Sequence, residues 1–207
     1  MRQLLLDFTQ APAPTFENFV HGGNAELFHA LGTAVRGELS ERVLYLWGET
    51  GAGKTHLATA FADAVLERAP EYRVIDGVER LDESAQIALF NDFNEGAFAF
   101  LLVTASAAPR DVAIRRDLST RLATGLTYRV LPLTDAEKRA ALAAHAKARG
   151  FALSEEVSAY LLTHARRDMG SLMATLDALD RYSLETGRAV TVPLLKAAMQ
   201  PLTQAGR

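Results

Sequence analysis

Residues 44–57, LYLWGETGAGKTHL, decide the fold. The apolar run Val43 to Trp47 leads through a glycine-rich turn into Lys54-Thr55, which open an amphipathic helix. Gly48, four intervening residues and Gly53-Lys54-Thr55 have the spacing of a phosphate-binding P-loop. Gly48, Gly51 and Gly53 let the backbone curl, so that successive N–H groups across Glu49, Thr50, Ala52 and their neighbours turn inward on a phosphate. The helix that follows, with His56 in its first turn, adds its positive N-terminal end. Lys54 supplies a charge for the terminal phosphates, and the Thr55 hydroxyl is a candidate Mg2+ ligand. Leu57, Phe61 and Val65 then recur on one helix face. Strand, loop and helix in this order separate the motif from a glycine turn that binds nothing.

The composition sets wide bounds. A chain of 207 residues with 49% hydrophobic and 23% charged residues can bury a sizeable core, as one domain or a domain with a small satellite. A net charge of −3 argues against holding DNA by bulk charge alone and leaves room for a local basic patch. Cysteine is absent, which removes disulfides, thiolate metal sites and a cysteine nucleophile. No apolar run reaches the length of a membrane span, and MRQLLLDF is too short for a secretory signal. These features predict a cytoplasmic protein with no membrane partner.

Residues 1–14 read as a tail: an apolar hexapeptide, Gln3 to Phe8, before a proline linker. The hexapeptide either folds back onto the domain or docks into another protein's pocket. Gln3, Leu6 and Phe8 fit the Q-x-x-L-x-F pattern of peptides that bind the bacterial replication sliding clamp. Phe16, Phe19 and Val20 follow, before a helix expected over 25–38. Their apolar side chains suit the walls of an adenine site and equally suit the core.

After the P-loop helix, Ala69-Pro70-Glu71-Tyr72 breaks the chain and Arg73-Val74-Ile75-Asp76-Gly77 reads as a short strand ending in an acid. Asp76 is the candidate to hold the water shell of Mg2+, against an ordinary strand-to-turn aspartate. Asp82 predicts a helix cap and Gly96 its stop, with Ala85, Leu89 and Phe93 as the buried stripe. FAFLLVT, 98–104, is the clearest buried parallel strand. Ser106, just past its end, is placed to sense a phosphate or to be a solvated loop serine. Arg115 to Leu122 is a basic helical segment and LTYRVL, 126–131, a further strand. Arg121 between them can reach a neighbouring subunit's nucleotide or remain a surface charge.

From Pro132 the pattern is all helical. Thr134-Asp135-Ala136-Glu137 is a capping box. Ser154 caps a second helix with Val157, Leu161 and Ala165 inward. A third helix spans 169–185 on Leu172, Leu176 and Leu179, and a last one starts near Val192-Pro193. The expected divisions are a tail over 1–14, a P-loop core over 15–132 and a helical domain over 133–207. Arg167, just before the third helix, is placed to touch phosphates from a lid.

Together these stretches resemble the DnaA/Hda family of AAA+ P-loop ATPases, and within it the DnaA-related regulatory inactivators. The resemblance lies in TFENFVHGGNAEL, LYLWGETGAGKTHL, RRDLSTRLATGLTYRVLPL and RRDMGSLMATLDALDRYSL, which together span most of the chain. It implies an α/β fold: a parallel-sheet AAA+ core and a small all-α lid. It implies ADP or ATP with Mg2+ as ligands. The implied partners are DnaA and the DNA polymerase III sliding clamp (its beta subunit), with DNA met only through the clamp, and a homo-oligomer is open. On this resemblance Gln3, Leu6 and Phe8 fall on the clamp peptide, Arg121 on the arginine finger, Arg167 on the lid sensor and Ser106 on the strand-end sensor. DnaA carries a further DNA-binding domain, so a chain ending at Arg207 is expected to be the regulator.

Two departures from the family pattern shape the expectation. Lys54 and Asp76 are only 22 positions apart, too few for the usual strand and helix in between. One edge strand–helix unit is therefore predicted missing, with the first and next strands paired directly through a single crossover. Gly77 stands where relatives carry a second acid that orients the attacking water, so intrinsic ATPase is expected weak or absent. The expected function is stimulation of ATP hydrolysis on DnaA, which prevents re-initiation of replication. The rivals are a self-sufficient ATPase of the helicase-loader or remodeller type and a module that no longer holds nucleotide.

Overall fold

The computed structural model describes residues 12–68, 71–166 and 168–199. They fall into two compact units, Pro14–Pro132 and the residues from Leu133 on. In the first, α1 (Ala25–Arg36), β1 (Val43–Trp47), α2 (Lys54–Ala64), β2 (Tyr72–Ile75), α3 (Glu83–Glu95), β3 (Phe100–Ala105), α4 (Arg116–Leu122) and β4 (Leu126–Arg129) follow in order. The strands form one parallel sheet in the order β2-β3-β1-β4. Among the described residues no helix is long and apolar enough to cross a membrane.

The sheet is covered on both faces, and the period of two along each strand sorts its side chains between them. Leu44, Leu46, Phe100 and Leu102 join Leu31 of α1 and Leu57 and Phe61 of α2 in one cluster. Val43, Tyr45, Leu101, Val103 and Ala105 join Leu89 of α3 and Leu118 and Leu122 of α4 in the other. This double burial is why β1 and β3 read as unbroken apolar runs. Asn24, 4% exposed, fastens the segment before α1 to the end of β4: its amide donates to Leu131 O at 2.9 Å and accepts the Leu131 N–H at 2.8 Å.

One expectation about pairing is overturned. β2 does not pair with β1; β3 lies between them, in register Tyr72 with Phe100 and Val43 with Leu101. The reason is burial: β3 is buried at every position and occupies the interior, whereas β2 is only half-buried and takes the edge. Between α2 and β2 the described residues hold only a 3-10 turn, Leu66–Arg68, so the missing strand–helix unit is absent from that edge and the sheet's centre is complete. Arg73 fits in β2 because its guanidinium pairs with Asp92 and lies 5.2 Å from the Phe98 ring centre. In α3 the inward positions are Gln86 and Leu89, while Ala85 and Phe93 stay partly exposed. Gln86 is buried because it is bonded at both ends, donating to Leu81 O and accepting from Arg115 N–H.

The second unit is four helices: α5 (Asp135–Ala148), α6 (Glu155–His164), α7 (Met169–Thr186) and α8 (Val192–Met199). The capping box at Thr134 and Glu137 closes both ways, and Ser154 and Asp168 cap α6 and α7 through the N–H groups of Val157 and Ser171. Leu142, Leu161, Leu172, Leu176, Leu179 and Leu195 form its core, each with no exposed surface. His145 and Arg149 face Asp177 and Asp180 across α5 and α7, at 2.6 and 3.0 Å for the two shorter pairs.

Candidate functional site

The site is built where β1, β2 and β3 end. The chain leaves β1 through the glycine loop and enters α2 at Gly53, whose φ of +99° is a conformation glycine adopts without strain. A Cβ there would meet the Phe19 ring at 2.7 Å, so the loop is also held from the side by that aromatic. Lys54 Nζ donates to the Gly48 and Glu49 carbonyls at 2.8 and 2.9 Å, curling its side chain back over the loop. Burial, with the Arg80 charge in support, lowers its pKa against the pull of Glu79 and Asp76.

Asp76 follows β2 and is the hub. Its Oδ1 accepts from the Thr104 hydroxyl at 2.6 Å, and its Oδ2 accepts from the Thr55 hydroxyl at 3.0 Å and from Arg80 Nη2 at 2.8 Å. Burial works to raise its pKa; the bonds from Thr104, Thr55 and Arg80, with Arg80's charge, outweigh burial and hold the carboxyl below its ordinary range. Gly77, at φ +76°, donates its N–H to the Thr104 hydroxyl at 2.8 Å. Glu79 completes the cluster. Its Oε1 accepts the Ser106 N–H at 3.0 Å, and its Oε2 is buried with no hydrogen-bond partner.

The sequence candidates separate in space. Gly48 to Thr55 and Asp76 come together. Phe19 stacks on Phe28 at 5.7 Å and stands 5.3 Å from the His56 ring, and Phe16 meets Phe28 edge-on at 5.6 Å. His56 Nε2 lies 2.8 Å from the Thr15 carbonyl, which ties this segment to α2. Val20 is half-buried beside them. Ser106 is exposed and meets the cluster only through its backbone. Besides Thr55, the hydroxyl that reaches Asp76 is Thr104's, and in the sequence it reads as one member of an apolar strand. Arg80 was missed likewise, being one more charge after a turn. Arg121 is exposed at the end of α4, with its guanidinium 6.0 Å from the Phe90 ring centre. Gln3, Leu6, Phe8 and Arg167 lie outside the described residues.

Among the described residues no three or more His, Cys, Asp or Glu side chains are grouped to hold a metal ion. A magnesium ion here would rest on the Thr55 hydroxyl and, through water, on the Asp76 carboxylate, with phosphate oxygens and further water for the rest. Hard oxygen donors of this kind, with a single carboxylate, fit magnesium.

Known proteins resemble the chain in both units. Residues 135–199 match the family model described as "Hda, lid domain", and residues 11–79 match "Bacterial DnaA ATPase domain". Domain III of the Thermotoga maritima replication initiation protein DnaA superposes with a TM-score of 0.71 at 20% identity, over 93% of this chain and 98% of that one. AMPPCP-bound DnaA from Aquifex aeolicus gives 0.67 at 19%, over 84% and 67%. The Thermotoga maritima RuvB Holliday junction branch migration motor gives 0.65 at 18%, over 91% and 72%. At these identities the structural likeness speaks for the fold, an AAA+ core with a helical lid.

Proposed function

From the premise that this chain belongs to the Hda/DnaA family, matched in each of its units, we propose that it is a regulatory inactivator of the replication initiator DnaA. It acts in the cytoplasm. Gln3, Leu6 and Phe8, in a tail over 1–14, dock it on the DNA-loaded sliding clamp. Nucleotide bound at the P-loop of the core (15–132) orders the lid (133–207), and Arg121 completes the hydrolytic site of a neighbouring DnaA. Re-initiation is prevented because DnaA is left with ADP.

The observation that supports this reading is the division of labour between the two ends of the core. At the end of β2, Asp76 is ringed by Thr55, Thr104 and Arg80, and Gly77, next to it in the chain, brings no base for a water. Such a site suits holding a nucleotide rather than turning it over. Arg121, in contrast, presents a planar cation to solvent, suited to charge on a transferring phosphoryl group.

In this mechanism the loop N–H groups from Glu49 to Thr55 and the Lys54 ammonium bind the phosphates, which take Lys54 over from the loop carbonyls. Phe16, Phe19 and Val20, with His56 behind them, line the base. Thr55 and Asp76, the latter through water, hold Mg2+, whose chemistry when bound is to neutralise phosphate charge. Ser106 and Arg167 report which nucleotide is present. Arg121 donates N–H groups to the partner's phosphoryl oxygens as the bond to the leaving ADP lengthens, while the partner orients the water.

The deciding experiment measures ATP hydrolysis by ATP-loaded DnaA with clamp on DNA. The protein stimulates it, and Arg121→Ala abolishes stimulation while keeping nucleotide and clamp binding. Full stimulation by Arg121→Ala overturns the mechanism. Gln3→Ala with Phe8→Ala loses clamp binding and keeps nucleotide affinity; unchanged clamp binding removes the peptide from the account.

A second reading, a self-sufficient ATPase of the remodeller type, is favoured by one observation: Glu79 brings a second carboxylate to the cluster, with one oxygen unpartnered. ATP turnover by the isolated protein above a Lys54→Ala control supports it; turnover equal to the control excludes it.

A further inference from the structure

Arg80 does two things at the end of β2. Its Nη2 donates to Asp76 Oδ2 at 2.8 Å and also reaches the Asp76 carbonyl. Its guanidinium also lies over Gly77, where an added Cβ would fall 2.3 Å from Nε and 2.7 Å from Cζ. The space a side chain at position 77 would need is thus filled by a cation.

The charges of the cluster balance before any ligand arrives: Lys54 and Arg80 against Asp76 and Glu79. Glu79 is turned elsewhere, with one oxygen on the Ser106 N–H and the other buried. Asp76 is therefore the acid that holds Arg80. A divalent cation approaching Asp76 must part that pair or sit beside a guanidinium of like charge. The Arg80 side chain is 66% exposed, so it has room to turn from Asp76 toward a phosphate.

We propose that Arg80 is a built-in counter-ion at the metal side of the nucleotide site, so that this protein retains a nucleoside diphosphate with little help from magnesium. This rests on the nucleotide-binding reading above and goes beyond it by assigning a role to a residue outside the P-loop. Two cations, Lys54 and Arg80, meet the diphosphate charge.

The test is the affinity for ADP, by calorimetry on the full chain, in magnesium chloride and in EDTA. The wild type binds ADP with a magnesium enhancement below about fivefold. In Arg80→Gln the enhancement grows by about two- to fivefold, the scale of an exposed ion pair that no longer competes. Arg80→Lys keeps the charge and keeps the small enhancement. Equal enhancement in the wild type and Arg80→Gln, with ADP bound in both, overturns the inference alone. No ADP binding in either buffer overturns the nucleotide reading together with it.

Discussion

The Thr104 hydroxyl, on β3, stands 2.6 Å from Asp76 Oδ1, just past the end of β2, and accepts the Gly77 N–H at 2.8 Å. One fully buried side chain thus aims the acid and secures the turn that follows it. Thr104→Val keeps the shape and removes both bonds. Loss of about 1–3 kcal/mol of stability is expected in urea unfolding, because the carboxylate loses a buried donor. Thr104→Ser, which restores the hydroxyl, recovers most of it. Wild-type stability in the valine variant would show that the hydroxyl does not carry this role.

Asp76 also sets a pH signature. Its folded-state pKa is lowered, so its contribution is fully present above the ordinary carboxylate range and is lost as pH falls through the folded value. Melting temperatures from neutral pH into the acid range should therefore fall more steeply in the wild type than in Asp76→Asn. Asp82, Asp117 and Glu137, also lowered by their hydrogen bonds, titrate in both proteins and cancel in the difference.

Gly53 is constrained twice, by its positive φ and by the Phe19 ring 2.7 Å from where a Cβ would stand. Gly53→Ala should cost more than about 1 kcal/mol. Truncating the ring as well, in Gly53→Ala/Phe19→Leu, relieves the steric share and leaves the backbone share. A double-mutant cycle that comes out additive would exclude contact between the two.

In the lid, Leu176 is fully buried among Leu142, Leu161 and Leu172. Leu176→Ala should lower stability by about 2–5 kcal/mol, the range for a large-to-small core change. Thermal stabilisation by saturating ADP, about 2.7 kcal/mol at a hundredfold excess over Kd, would show that the core still binds in this variant.

The parts of the molecule legible in the sequence were those written in local patterns. The P-loop announces itself through residue types that only phosphate binding requires together. The lid helices announce themselves through Thr134, Ser154 and the leucine spacing. Strand order is a different kind of property. β1 and β2 follow one another in the chain, but which strand takes the interior is settled by which can be buried on both faces, and that is β3. Arg80, Gln86 and Thr104 escaped notice for a related reason. Each acquires its meaning from a partner brought up by folding, and nothing in the residues beside them encodes the partner.

The two borders of the sheet bear on how the protein behaves at high concentration. β2 and β4 are each four residues long, and each carries an arginine, Arg73 and Arg129, held in an ion pair. Short strands bearing charge make poor templates for another chain's backbone. A sheet that has lost a unit at one border can therefore stay soluble: its new outermost strand offers too little unpaired backbone to seed aggregation.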